Sequence, residues 1–215
     1  YRLLEDGEFP AREPLPLAEA ACSMSAGGCL DKVRDDPEAA RALLAAAGDR
    51  TALAARALAS GHIRSPYPDS VAAPLPPYQN LRLPLTAAAL DGVEGRVPAA
   101  MSRACGLLAD ARRHGAASSD LINKAVMTAL ATGAAGLLLD LRHASPDTPL
   151  PPQCAEALVP VQGGDYLVCE AIRGEFRMVS RAAHEIDAAL AARWNPRDLF
   201  LRLTAIDARA HDAWA

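Results

Sequence analysis

The sequence predicts an all-α protein in which about seven helices stack as antiparallel hairpins. Of its 215 residues, 51% are hydrophobic but only 4% are aromatic, and alanine supplies much of the apolar share. Alanine is the strongest helix former and fills the face of a sheet poorly. Helix start and stop signals recur along the chain, and no β-branched stretch alternates over six residues, as a half-buried strand would.

The first hairpin is predicted between residues 36 and 61. Asp36 is a good N-cap, Pro37 suits the first helical position, and Gly48 ends the run "PEAARALLAAAG". Asp49 then begins a second helix that stops at Gly61. Because almost nothing separates the two helices, we expect them to lie antiparallel.

Residues 65–84 interrupt the helical pattern. This segment, "SPYPDSVAAPLPPYQNLRLP", holds six prolines and two tyrosines. Proline lacks an amide donor and disfavours helix in the residue before it, so we expect extended or turned backbone. The segment is either a strap that binds a partner, with Tyr67 and Tyr78 as its contact residues, or a loop that these tyrosines hold over the helices. It divides a small N-terminal lobe, 1–64, from a main helical domain, 85–215.

Two further helices are predicted at 85–95 and 98–115, joined by a tight turn at Gly95. Small residues recur where the two helices would cross, and a leucine-rich stripe continues the apolar face. The positions are Ala88, Ala100, Ala104, Leu107, Leu108 and Ala111. The pair resembles a single tetratricopeptide-type hairpin, although the large aromatic residues of that repeat are missing. The resemblance implies a helical fold and no particular chemistry.

A long helix is predicted from a cap at Ser119 to a stop at Ser145-Pro146. Gly133 and Gly136 lie inside it, and each costs about 1 kcal/mol relative to alanine. We expect the close approach of a neighbouring helix to offset that cost. A short helix at 149–161, a long one after Asp165 and a last one after Asn195-Pro196 complete the prediction.

The five cysteines suggest disulfide bonds rather than a metal or redox centre. Zinc sites use close cysteine pairs or nearby histidines, and thioredoxin-type centres have two intervening residues; neither pattern occurs. Cys22 and Cys29 flank a loop that contains Gly27-Gly28, so we expect a bridge between them. The pair expected next is Cys154 with Cys169, on consecutive helices. Cys105 is expected to be a buried free thiol. Two bridges would indicate an oxidising compartment such as the bacterial periplasm, and five unlinked thiols a cytosolic protein.

Few residues in the sequence are candidates for a catalytic, cofactor or metal site. His62, Ser65 and Asp69 lie close together in one predicted loop and form the best candidate for a hydrolase or lyase site. The sequence lacks the G-x-S-x-G elbow, a glycine-rich phosphate cradle and the paired Glu-x-x-His motif of helical metal sites. We therefore expect no cofactor and no bound metal, and an enzymatic activity is the less favoured interpretation.

Charge narrows the classes of partner. Lysine and arginine number 22 against 26 acidic residues, which gives a net charge of −4, so a nucleic-acid partner is not expected. The apolar stretch 125–139 is too short to span a bilayer. Because the chain starts at Tyr1, we expect a signal or an anchor to precede it. The leading hypothesis is a non-enzymatic interaction protein of the bacterial envelope, an inhibitor, immunity protein or assembly factor that binds a protein partner. The alternatives are the hydrolase above and a carrier of an apolar ligand.

Overall fold

A computed structural model describes residues 18–25, 27–60, 77–160 and 168–193, with side chains up to residue 188. All regular structure in these ranges is helical, as predicted. The eight α-helices are α1 (Cys29–Asp35), α2 (Pro37–Ala47), α3 (Asp49–Ala59), α4 (Arg82–Val93), α5 (Val97–Ala117), α6 (Leu121–Ala144), α7 (Cys154–Ala157) and α8 (Cys169–Arg193). Short 3-10 turns at Ala18–Ala20 and Tyr78–Leu81 complete the described elements.

Several helices begin and end at the capping residues that the sequence predicts. The Asp36 carboxylate accepts a hydrogen bond from the amide of Ala39 at 2.9 Å, and Pro37 begins α2. Gly48 ends α2 with a φ of 53°, in the left-handed region that glycine tolerates. Gly95 has a φ of 82° between α4 and α5. These residues place the α2–α3 and α4–α5 connections where they were predicted.

Two predicted boundaries differ from the structure. The cap of α6 is Asp120, whose carboxylate accepts from the amide of Asn123 at 2.6 Å, rather than Ser119. The helix predicted at 149–161 is limited to the four residues of α7. Proline disfavours helical backbone in the residue before it, so Pro151 and Pro152 delay the start of the helix and Pro160 prevents its continuation.

The end of the predicted proline-rich strap is helical in the structure. Tyr78–Leu81 forms a 3-10 turn, and Pro84 lies in the first turn of α4. Amides in the first turn of a helix have no partner within it, so proline costs little there. Residues 61–76, which include Tyr67, His62, Ser65 and Asp69, lie outside the described residues.

The core is formed mainly where α4, α5 and α6 pack together. Buried side chains of α1 and α3, such as Leu30, Val33 and Leu58, join the same cluster as Leu85, Met101 and Leu130. The predicted lobes 1–64 and 85–215 thus share buried side chains, and whether they also fold as separate units stays a prediction.

Candidate functional site

The Cys22–Cys29 disulfide predicted from the sequence is present and closes a short surface loop. Both half-cystines are buried. The amide of Cys22 donates to Thr86 Oγ1 at 2.9 Å, and Arg82 Nε donates to the carbonyl of Cys22 at 2.7 Å. The loop is therefore attached to the first turns of α4 by a buried hydroxyl and a guanidinium.

The second predicted pairing, Cys154 with Cys169, is wrong. Cys154 is bonded to Cys105, with 4.9 Å between their Cα atoms, and Cys169 is an exposed free thiol. Cys105 is buried in the middle of α5, as predicted, but as a half-cystine rather than a thiol. A buried free thiol and a buried half-cystine give the same sequence pattern. The partner of Cys105 is therefore apparent only from the packing of α7 on α5.

Two glycines of α6 lie against this disulfide loop. A methyl group at Gly133 would lie 2.5 Å from the carbonyl oxygen of Met24, and one at Gly136 would lie 3.9 Å from the Cα of Gly27. Gly133 therefore leaves room for the Cys22–Cys29 loop, and Gly136 lies at ordinary contact distance from it, whereas a neighbouring helix was predicted.

Tyr78, predicted as a partner contact, is half-buried and packs against the core. Burial raises the pKa of its phenol to about 12, and the nearby negative charge of Asp120 adds to the effect. A role of Tyr78 in binding a partner stays a prediction, since its visible function is to hold the 3-10 turn on the core.

Acidic and basic side chains alternate in a network of ion pairs around the α4–α5 turn. Asp91 is buried, and Arg96 Nε donates to its Oδ1 at 3.0 Å while Arg103 Nε lies 3.0 Å from its Oδ2. Glu94 accepts from Arg41 Nε at 2.7 Å, and hydrogen bonds from Arg41 and then Arg96 lower the pKa of that carboxyl. Each carboxylate is paired with guanidinium groups, so these side chains stabilise the turn.

Buried polar groups at the α5–α6 corner are also used structurally. His114 Nε2 is 2.5 Å from the carbonyl oxygen of Leu58, which joins α5 to the end of α3. Lys124 Nζ donates to the carbonyl of Gly115 at 2.9 Å and so caps the end of α5. Among the described residues, no group of three histidine, cysteine or acidic side chains is placed to hold a metal ion.

Two clefts in the described part of the chain bear on the ligand-carrier alternative. One, of about 580 Å³, is lined by residues of α8, including Phe176, Arg177 and His184. The other, of about 420 Å³, lies beside α5 and α7 and is lined in part by Arg113 and Glu156. Both open to solvent and present charges, whereas a carrier of an apolar ligand needs an enclosed apolar cavity.

An uncharged surface lies on the solvent side of α6. It is here named the "α6 outer face" and is formed by Leu121, Ala125, Thr128, Thr132 and Leu139. All five residues are exposed, and Leu139 retains 60% of its surface. No charged residue occurs between Lys124 and Asp140. The face is about 27 Å long at about 1.5 Å per residue.

The two threonines make the α6 outer face less polar than its sequence implies. Thr128 Oγ1 donates to the carbonyl of Lys124, and Thr132 Oγ1 donates to the carbonyl of Thr128, both at 2.9 Å. Because the hydroxyls are bonded to their own helix, the methyl groups are left as the apolar part that a partner could contact. An exposed helix face normally carries charges, so this face lacks the usual pattern of a solvated surface.

By length and hydropathy α6 could also cross a membrane, although 44% of its most apolar window is buried within the protein. The core helix of a water-soluble protein meets the same criteria. The buried side of α6, with Met127, Leu130 and Leu137, packs against neighbouring helices. Because only one side of α6 is buried, the α6 outer face remains exposed to solvent.

Comparison with known proteins identifies no relative by which to assign this surface. No family model, no curated protein and no solved structure matches the chain. The candidate site therefore rests on the packing, charge and exposure of α6 and its neighbours.

Proposed function

We propose that the protein is a non-enzymatic interaction protein of the bacterial envelope and that its α6 outer face binds a helix of a partner protein. The observation that carries the proposal is the absence of charge over about 22 Å of a helix between Lys124 and Asp140, one side of which is exposed. Water solvates such a face poorly, and covering it removes apolar surface from water.

The shape of the face suits an α-helix as its occupant. Alanine and threonine lie at its centre and larger leucines at its two ends. Small residues let two helix backbones approach closely, and the flanking leucines then pack around the partner helix. Asp120 and Asp140 flank the face and the whole chain is acidic, so basic residues near the ends of the partner helix would be favoured.

The disulfides support the location. Two disulfide bonds are compatible with an oxidising compartment outside the cytoplasm. The periplasm is our proposal for that compartment, and an inhibitor, an immunity protein or an assembly factor is our proposal for the role. The tetratricopeptide-like arrangement and a partner-binding strap at 65–84 belong to the same proposal, since helical hairpins form grooves that bind peptides.

Site-specific photo-crosslinking tests the proposal. A photoreactive residue is placed at Thr132, or at the exposed Ala52 of α3 as the control, and the protein is irradiated in an envelope extract of its own organism. We expect one defined protein adduct from position 132 and none from position 52. Equal labelling from both positions, or no adduct from position 132, would refute the proposed surface.

A pair of charge variants then tests whether the adduct reports binding. Thr132→Glu puts a carboxylate in the centre of the face, and burying it against a partner should weaken binding at least tenfold, which corresponds to about 1.4 kcal/mol. Ala52→Glu adds the same charge to α3 and should leave capture unchanged. Both positions are exposed, so the thermal unfolding midpoints of the two variants should agree with that of the parent.

A further inference from the structure

A proline-rich segment lies exposed between α6 and α7. The sequence PLPP occurs twice in the chain, at 74–77 and at 149–152, and the second copy lies wholly within the described residues. Residues 149–152, here named the PLPP segment, form neither helix nor strand. Thr148, Leu150 and Pro151 each precede a proline, which disfavours helical backbone and favours polyproline II geometry. The chemistry of these residues therefore extends the segment without a neighbouring strand.

Burial within the PLPP segment agrees with the three-residue period of a polyproline II helix. Pro151 is half-buried. Pro149 and Pro152 are exposed, and Leu150 keeps 45% of its surface. With three residues per turn, Pro149 and Pro152 lie on one edge of the helix and Pro151 on another, against the protein. Leu150 occupies the third edge, so two of the three edges face solvent.

Both ends of the PLPP segment are attached to the protein. Before it, Arg142 of α6 donates a hydrogen bond from Nη1 to the carbonyl of Thr148 at 2.6 Å. After it, Cys154 is bonded to Cys105 in the middle of α5. A segment held at both ends loses little conformational entropy when it binds, so its preformed shape favours binding.

We propose that the PLPP segment binds a groove lined by tryptophan and tyrosine side chains on a partner protein. Aromatic rings pack against exposed proline rings and leucine in the domains that recognise proline-rich peptides. Within the described residues, the carbonyl groups of Pro149 and Leu150 accept no hydrogen bond. Tryptophan N–H and tyrosine O–H groups of the groove can therefore donate to them. The surface is separate from the α6 outer face, and its binding does not depend on that face.

Asp147 sets the charge that the groove should carry. It is exposed and lies two residues before Pro149. A lysine or arginine at the corresponding end of the groove would be attracted to this carboxylate, and an acidic residue there would be repelled. The partner groove is therefore aromatic along its length and basic at the end that receives Asp147.

Photo-crosslinking beside the segment, with peptide competition, tests the proposal in the full chain. A photoreactive residue replaces Gln153, which is exposed and directly follows the segment, and the protein is irradiated in a cell extract of its own organism. We expect a protein adduct that an excess of a synthetic peptide of residues 148–153 reduces at least tenfold. The same peptide with alanine at its three prolines should have no effect. No adduct, or equal yields with the two peptides, would overturn the proposal.

Matched proline variants show which rings the partner contacts. Pro149→Ala/Pro152→Ala removes both rings of one exposed edge and should reduce the adduct at least tenfold. Pro146→Ala changes an exposed proline of the preceding turn and should leave the adduct unchanged. All three prolines are exposed, so both variants should keep the thermal unfolding midpoint of the parent. Equal adduct yields from the two variants would refute recognition through the PLPP segment.

Discussion

The carbonyl oxygen of Met24, in the Cys22–Cys29 loop, lies directly over Gly133 in the middle of α6. The contact explains why α6 carries a glycine at this position. It also places the disulfide loop beside the α6 outer face.

Gly133→Ala should destabilise the protein even though alanine favours helix. The new methyl group would lie 2.5 Å from Met24 O and 3.1 Å from a side-chain carbon of Leu85. Because the first of these is backbone held by a disulfide, we expect a loss of roughly 1–3 kcal/mol in the free energy of unfolding.

Gly106→Ala is the matched control for that substitution. Gly106 lies inside α5, and a methyl group there would meet no atom within 4 Å. It should stabilise the protein by about 0.5–1 kcal/mol. Denaturant unfolding measures both variants, and changes of the same sign would contradict the role assigned to Gly133.

The two disulfides should differ in their contribution to stability. They close segments with sequence separations of 7 and 49 residues. In the chain-entropy model the shorter loop is worth about 2.5 kcal/mol and the longer about 4 kcal/mol. The double variant Cys105→Ala/Cys154→Ala should therefore unfold at a lower denaturant concentration than Cys22→Ala/Cys29→Ala. The reverse order would show that the contacts of the Cys22–Cys29 loop outweigh chain entropy.

The phenol of Tyr78 should lose its proton at a higher pH than the phenol of an exposed tyrosine. Burial raises its pKa from about 10 to about 12. A raised pKa means that the associated stability is fully present below about pH 10 and is lost as the pH rises through 12. Absorbance titration of the phenolate band in alkali should show one late transition that Tyr78→Phe removes. If the substitution removes only an ordinary transition near pH 10, the assigned burial of Tyr78 is wrong.

Gly174, in the interior of α8, should not tolerate a larger side chain. Gly174 is in direct contact with the carbonyl of Ser119, so an added methyl group has no room. We expect Gly174→Ala to increase amide hydrogen exchange in α8 and at Leu121, whose amide is bonded to Glu175. Unchanged exchange at both places would contradict the docking of α8 on the α5–α6 connection.

Local signals made much of this fold predictable. Asp36-Pro37, Gly48 and Gly95 specify helix ends through backbone chemistry that acts within a few residues. The Cys22–Cys29 bridge is local in the same sense, since a short glycine-containing loop brings the two Cα atoms together. The glycine at position 133 correctly indicated a close approach, although not what approaches.

The parts that could not be predicted depend on distant contacts. Cys105 pairs with Cys154 only because α7 packs on the middle of α5, and no sequence spacing encodes that packing. The α6 outer face was equally hidden. The uncharged stretch 125–139 reads as a fully buried helix, and only the arrangement of α4, α5 and α8 leaves one side of it exposed.

The measurement that tests the account most directly is disulfide mapping of the protein isolated from its own organism, with free thiols blocked at lysis. The account predicts two internal links, Cys22 to Cys29 and Cys105 to Cys154, with Cys169 as the only cysteine outside them. Peptide mass spectrometry identifies each link from its joined peptides. Five blocked thiols would contradict both the scaffold described here and its proposed place in an oxidising compartment.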